Sequence, residues 1–265
     1  MAEPWKEIFM GVLCYPNPIR EKRMRAQWKA LGWEDHVWMS PGIDLTDPRV
    51  RDILKDDDVH RPDPDGMRRN FSITWGHLDM IRRFVSHSSY NYAIFCENDI
   101  VVSKTLEQDV AWALERIKAY PLDILLLGFL NSVAPGDYPD RYAVHPASDS
   151  TPDRTLFCYP DDHWGVQMYM ITRNYAQRLL DTYTAEFVRK SWRGESGVPA
   201  FSPDHTLSKL ASFDRRAFLF PMAAIEDGTT SYEHGGQHHF HQASFHMYYA
   251  PERYFPPNMG EEGTS

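Results

Sequence analysis

The stretch YAIFCENDIVV, residues 92–102, decides how the rest of the chain is read. An unbroken run of apolar and small side chains meets Glu97, Asn98 and Asp99, and apolar residues resume at Ile100. A strand buried on both faces of a parallel sheet has this composition, with no alternation of polar and apolar positions. Carboxylates at its carboxyl end stand where open α/β sheets bind ligands. Glu97 and Asp99, two residues apart, offer hard oxygen ligands to Mg²⁺ or Mn²⁺, ions that typically bridge to substrate phosphates. The same residues also suit a turn of solvated acids, because Asn and Asp are favoured turn formers.

Outward from this stretch, strands and helices alternate. Residues 8–15 (IFMGVLCY) are expected as the first strand, followed by a helix over 19–31 with Ile19, Met24, Trp28 and Leu31 in helical register and Gly32 ending it. Residues 36–40 (HVWMS) read as a second strand, 48–54 as a short helix, and 56–66 as an acidic, proline-bearing loop. A long helix opens at Arg68-Arg69-Asn70, and its apolar positions Ile73, Leu78, Ile81, Phe84 and Val85 suit packing on a sheet. An amphipathic helix over 106–120 then precedes another buried strand, 122–129 (LDILLLGF). This order predicts a doubly wound α/β fold, a mostly parallel central sheet flanked by helices. The second half is less regular, with expected strands at 142–145, 155–159, 165–172 and 216–222, helices at 175–183 and 203–210, and a glycine-bearing loop at 192–199. Without an internal repeat or a long linker, the chain reads as one domain over 1–265, with 223–265 as a C-terminal tail or lid.

A chain of 265 residues, 42% of them hydrophobic, can bury a full core. Its net charge of −9 argues against wholesale binding to nucleic acid or anionic membrane. An anionic ligand must therefore meet a local group of bases or a metal. There is no run of about 18 apolar residues and no basic-then-apolar leader, so no transmembrane segment is expected and the expected location is cytoplasmic. Cys14, Cys96 and Cys158 form an odd set of three, which argues against a disulfide framework.

Several groups are candidates for chemistry. Arg20 and Arg23 share a helical face after the first strand, at the turn that commonly meets phosphate. Arg68 and Arg69 open the next long helix, a second natural anion site. In Asp161-Asp162-His163-Trp164-Gly165, the glycine permits close backbone approach and Trp164 is a platform for a sugar face. Asp204, in the first turn of a helix, suits either a helix-start carboxylate or a general base. Glu226 and Asp227 are next in line for that role. His234, His238, His239 and His241 carry spacings able to converge on a metal, and Gly235 and Gly236 allow a sharp bend before them. No HExxH signature accompanies these histidines, so a histidine-site metallohydrolase is the lesser alternative.

The order of these motifs resembles glycosyltransferase family 25, the lipooligosaccharide and collagen galactosyltransferase group. The resemblance rests on Arg20, Arg23, Met24 and Gln27 in the first helix, Gly76-His77 in the long helix, and Glu97-Asn98-Asp99. It continues through residues 122–128, the Gly165 to Arg173 pattern and Pro203-Asp204, and spans residues 7–222. It implies a GT-A fold, a UDP-sugar donor, Mn²⁺ or Mg²⁺, inversion at the anomeric carbon, and a carbohydrate or glycoprotein acceptor. In that frame Asp99 and Glu97 hold the metal, with His239 or His241 completing its shell and His239 preferred. Arg20, Arg23, Glu97, Asn98, Gly165 and Gln167 contact the donor, and Asp204 takes the acceptor proton. Asn98 stands where the family carries the middle acid of an E-D-D triplet. A non-catalytic domain that binds a nucleotide-sugar or glycan is the alternative.

Overall fold

The computed structural model describes residues 4–44, 46–53, 64–148, 153–229 and 238–260. Most of the acidic loop, along with His234, Gly235 and Gly236, lies outside them. Strand β1 (Ile8–Cys14) feeds helix α1 (Pro18–Leu31). The Asn17 side chain caps that helix by accepting from the Ile19 and Arg20 amides, and Gly32 ends it in a left-handed conformation. Next come β2 (Val37–Pro41), α2 (Pro48–Ile53), the long α3 (Pro64–His87), β3 (Tyr92–Glu97), β4 (Ile100–Val102), α4 (Leu106–Ala119) and β5 (Ile124–Leu130). The second half supplies β6 (Thr155–Phe157), β7 (Trp164–Thr172), α5 (Arg173–Thr182), α6 (Ala185–Arg193), α7 (Pro203–Ser208), β8 (Arg216–Phe220), β9 (Ala224–Glu226) and α8 (His238–Tyr248).

The central sheet has seven strands in the order β2-β1-β3-β7-β5-β8-β6. The pairings set β1, β2, β3, β5 and β8 in one direction, with β7 and β6 reversed. The expected α/β class and flanked, mostly parallel sheet are therefore present, with one reversed strand at the centre. Because β1 pairs in parallel with β2 on one side and β3 on the other, the crossovers leave it in opposite directions. Such a switch point opens a crevice at the carboxyl ends of its strands.

Strand pleating sorts the core into two layers. Leu13, Ala93, Phe95, Leu126, Tyr169, Ile171 and Phe218 pack with Leu78, Ile81 and Phe84 of α3 and Leu179 of α5. Met10, Val12, Ile94, Cys96, Leu125, Met168 and Leu219 pack with Met24 and Trp28 of α1 and Val110, Leu114 and Ile117 of α4. Gly76 is what lets α3 ride low over β1, since a Cβ there would sit 2.7 Å from Leu13 Cδ1.

Three expectations are corrected. The stretch 92–102 is not one strand, because the chain turns at Asn98-Asp99 and β4 leaves the main sheet to pair with β9. Residues 142–145 contribute only the bridge between Val144 and Phe157. Residues beyond 222, expected as a tail, supply β9 and α8, and α8 packs Phe245 against Gly228 so closely that a Cβ on Gly228 would lie 2.5 Å from Phe245 Cβ. Among the described residues, no helix is long and apolar enough to cross a membrane.

Candidate functional site

The turn that interrupts 92–102 brings the acids together. Opposite β4, the register pairs Ile100 with Glu226, which carries the Glu226 carboxylate beside Asp99. The Asp227 amide donates to the Asp99 carbonyl at 2.7 Å, fixing this approach. Arg20 Nη1 donates to Asp99 Oδ2 at 3.3 Å, while Asp99 Oδ1 is buried with no hydrogen-bond partner among the described residues. Burial first, then the negative charges of Glu97 and Glu226, push the Asp99 carboxyl up to about 7 against the pull of Arg20.

Glu226 is itself buried, and burial raises its carboxyl. It accepts from Gln167 Nε2 at 3.1 Å and lies 2.7 Å from His241 Nδ1. For His241, burial lowers the imidazole. The hydrogen bond to Glu226 and the charges of Glu226, Asp99 and Glu97 outweigh it, so the net shift is upward. Glu97 is fixed from the other layer. His77 Nε2 faces its Oε1 at 3.5 Å, and His77 Nδ1 lies 3.0 Å from the Tyr169 hydroxyl. A carboxylate only accepts, so these partners put the His77 proton on Nε2 with the Tyr169 hydroxyl donating to Nδ1.

The residues expected at the donor divide. Gln167 lies in the acidic cluster, and Arg20 reaches it through Asp99. Arg23 is 1% exposed, with Nη1 on the Asp227 carboxylate and on the Pro257 carbonyl at 2.9 Å, while its Nε and Nη2 are buried with no hydrogen-bond partner among the described residues. Asn98, 2% exposed, is hydrogen-bonded to the backbone. Its Nδ2 donates to the Tyr15 carbonyl at 3.0 Å, and its Oδ1 accepts from the Tyr15 amide at 3.3 Å. An aspartate could only accept, so it could not make this two-way latch. The latch holds the Tyr15 backbone while the Tyr15 residue stays 64% exposed at the crevice mouth.

Gly165 lies at φ +92°, and a Cβ there would come 2.3 Å from the Leu130 amide nitrogen. This backbone course aims the Gly165 amide at Asp204 Oδ1, 2.6 Å away. Burial raises the Asp204 carboxyl, and that amide opposes the rise. The preceding motif residues have other roles. Asp161 pairs with Arg216 at 2.6 Å and Asp162 with Arg141 at 2.9 Å. His163 lies flat against Phe218, with centroids 5.0 Å apart and planes 4° off parallel.

The α8 histidines do not act as a set. His241 meets Glu226, His238 is partly buried, and His239, the preferred metal ligand, is exposed. Among the described residues, no three His, Cys, Asp or Glu side chains are gathered closely enough to hold a metal by themselves. His77 and Tyr169, quoted above only as parts of motifs, are brought to Glu97 by helix packing and strand pairing.

No family model and no curated protein matches the chain. Solved structures similar to it include A197 from STIV, at 9% identity and a TM-score of 0.40 over 81% of this chain and 82% of that one. Another is a glycosyltransferase involved in the glycosylation of the major capsid of PBCV-1, at 9% identity and a TM-score of 0.45 over 91% of this chain and 98% of that one.

Proposed function

We propose that the chain is an inverting glycosyltransferase that moves a hexose from a UDP-sugar to a hydroxyl acceptor. The observation that carries this reading is the pair of buried acids Asp99 and Glu226, set beside the partly exposed Glu97 at the switch-point crevice. Like charges there oppose folding, and one Asp99 oxygen has no partner among the described residues. Perturbed, mutually repelling acids in a cleft are the arrangement expected where a ligand completes the electrostatics. The motif order resembling glycosyltransferase family 25 leads the same way.

A divalent cation fits this donor set. Asp99 Oδ1 and Glu97 would hold it, and substrate phosphates and water complete the shells of Mg²⁺ and Mn²⁺. When bound, it would supply positive charge against the leaving diphosphate. The chain's own residues account for the rest. Tyr15, latched by Asn98, would present its ring to the nucleobase, and Arg20, now paired with Asp99, would offer its guanidinium to the phosphates. Asp204 takes the proton from the acceptor hydroxyl as that oxygen attacks the anomeric carbon on the face opposite UDP. Its burial-raised carboxyl is a better match to proton transfer near neutral pH than a solvated aspartate.

A thermal-shift screen of UDP-, GDP- and CMP-sugars, with and without Mn²⁺, tests the reading. Binding raises the melting temperature by mass action. A metal-dependent rise with UDP-sugars supports it, and no rise with any nucleotide-sugar contradicts it. Slow release of hexose from the UDP-sugar without acceptor separates an enzyme from a mere binder.

A further inference from the structure

Resting on the transferase reading, we infer that the outward face of Trp164 is the platform for the acceptor, and that the acceptor is a neutral pyranose rather than an isolated side-chain hydroxyl. Trp164 opens β7, and it is the one exposed position in a strand whose next seven residues are buried. The residue is 47% exposed, a large apolar surface to leave in water. Its orientation is nevertheless fixed. The Lys209 ammonium lies 4.8 Å from the ring centroid and is buried, with no hydrogen-bond partner among the described residues. That places Lys209 on the inner face of the indole. The His205 ring meets Trp164 at 90°, with centroids 5.6 Å apart. Lys209 and His205 thus hold the indole, and close to half of the residue still faces solvent.

A pyranose suits that surface. Its ring C–H groups form an apolar plane, while its hydroxyls stand at the rim. The next residue is Gly165, whose amide binds Asp204 Oδ1 at 2.6 Å, so the platform and the nominated base are joined through adjacent residues. The arginines nearest this stretch, Arg216 and Arg141, are already paired with Asp161 and Asp162, which leaves neither guanidinium free for an acidic sugar. An isolated serine or lysine-derived hydroxyl would leave the indole uncovered.

The test is ligand-observed NMR on the full chain with UDP and Mn²⁺ present. The probes are methyl β-D-galactopyranoside, methyl β-D-glucopyranoside, methyl β-D-glucuronide and a serine-containing tripeptide. We expect a neutral pyranoside to bind wild type most tightly. Trp164→Ala should lose about five-fold or more of that affinity, the scale of one aromatic contact, and Trp164→Phe should keep part of it. UDP affinity should not change in either variant. Equal pyranoside binding by Trp164→Ala overturns the inference, as does preference for the glucuronide or the tripeptide. Wild-type affinity for UDP, read in the same samples, bears on the transferase reading separately, so the two failures are told apart.

Discussion

Replacing His163 by Phe should stabilise the protein, and more so in acid. His163 is enclosed by Phe129, Tyr142, Tyr159 and Phe218, and its Nε2 is buried with no hydrogen-bond partner among the described residues. Burial, helped by the positive charge of Arg141 and Lys209, pushes its imidazole down from 6.5 to about 3. Between those values the unfolded chain holds one proton more than the folded one, so folding stability rises with pH there. Its neutral form is favoured in full above pH 6.5, and that advantage is lost as pH falls toward 3. The slope is about 1.4 kcal/mol per pH unit. Phe keeps the ring stack and removes both the proton and the orphaned nitrogen, whose burial costs about 1 kcal/mol. His163→Phe should therefore lead wild type by about 1 kcal/mol at pH 8 and about 3 kcal/mol at pH 5. Urea unfolding at pH 8, 7, 6 and 5 measures the gap. A gap that stays flat or closes in acid would refute the reasoning, because a solvated histidine contributes no such slope.

Other outcomes follow from the same geometry. Asp227→Ala leaves the Arg23 guanidinium buried without its carboxylate and should cost about 3–5 kcal/mol in urea unfolding, whereas an unchanged midpoint would mean the pair is not buried in solution. Tyr15→Ala should weaken UDP about ten-fold in a calorimetric titration, the scale of one base–aromatic stack, and Tyr15→Phe should bind as wild type. Full affinity in the alanine variant would remove Tyr15 from the base. Asp204→Asn, nearly isosteric, should keep UDP affinity while transfer falls about 10²-fold or more, and wild-type turnover would move the base elsewhere.

Most of the first half of the fold was legible because its signals are local. Apolar runs mark β1, β3 and β5, and a proline or a glycine marks each end of α1. Strand direction carries no such signal, so β7, reversed between β3 and β5, could not be placed from its own residues. A three-residue strand such as β9 is too short for periodicity to show. Helix α6 was passed over although it is bounded by local signals, the Thr184 cap and Gly194. At the site, Glu97, Asp99 and Asp204 stood out because acids interrupt apolar or turn patterns. Glu226 reached the cluster through pairing with Ile100, a contact between distant parts of the chain. The internal partners of Arg23 and Asn98 carried no local signal, because Asp227 and the Tyr15 backbone are distant from them in sequence.

If the acids at the end of β3 bind a nucleotide through a metal, calorimetric titration of UDP into wild type and Asp99→Asn, each with Mn²⁺ and with EDTA, will show it. The substitution keeps the shape of the side chain but removes the negative oxygen that lacks a partner. Wild type should bind UDP far more tightly with Mn²⁺ than with EDTA. The folded variant should bind with the weak EDTA affinity in both buffers. Equal Mn²⁺-dependent affinity in the two proteins would contradict it.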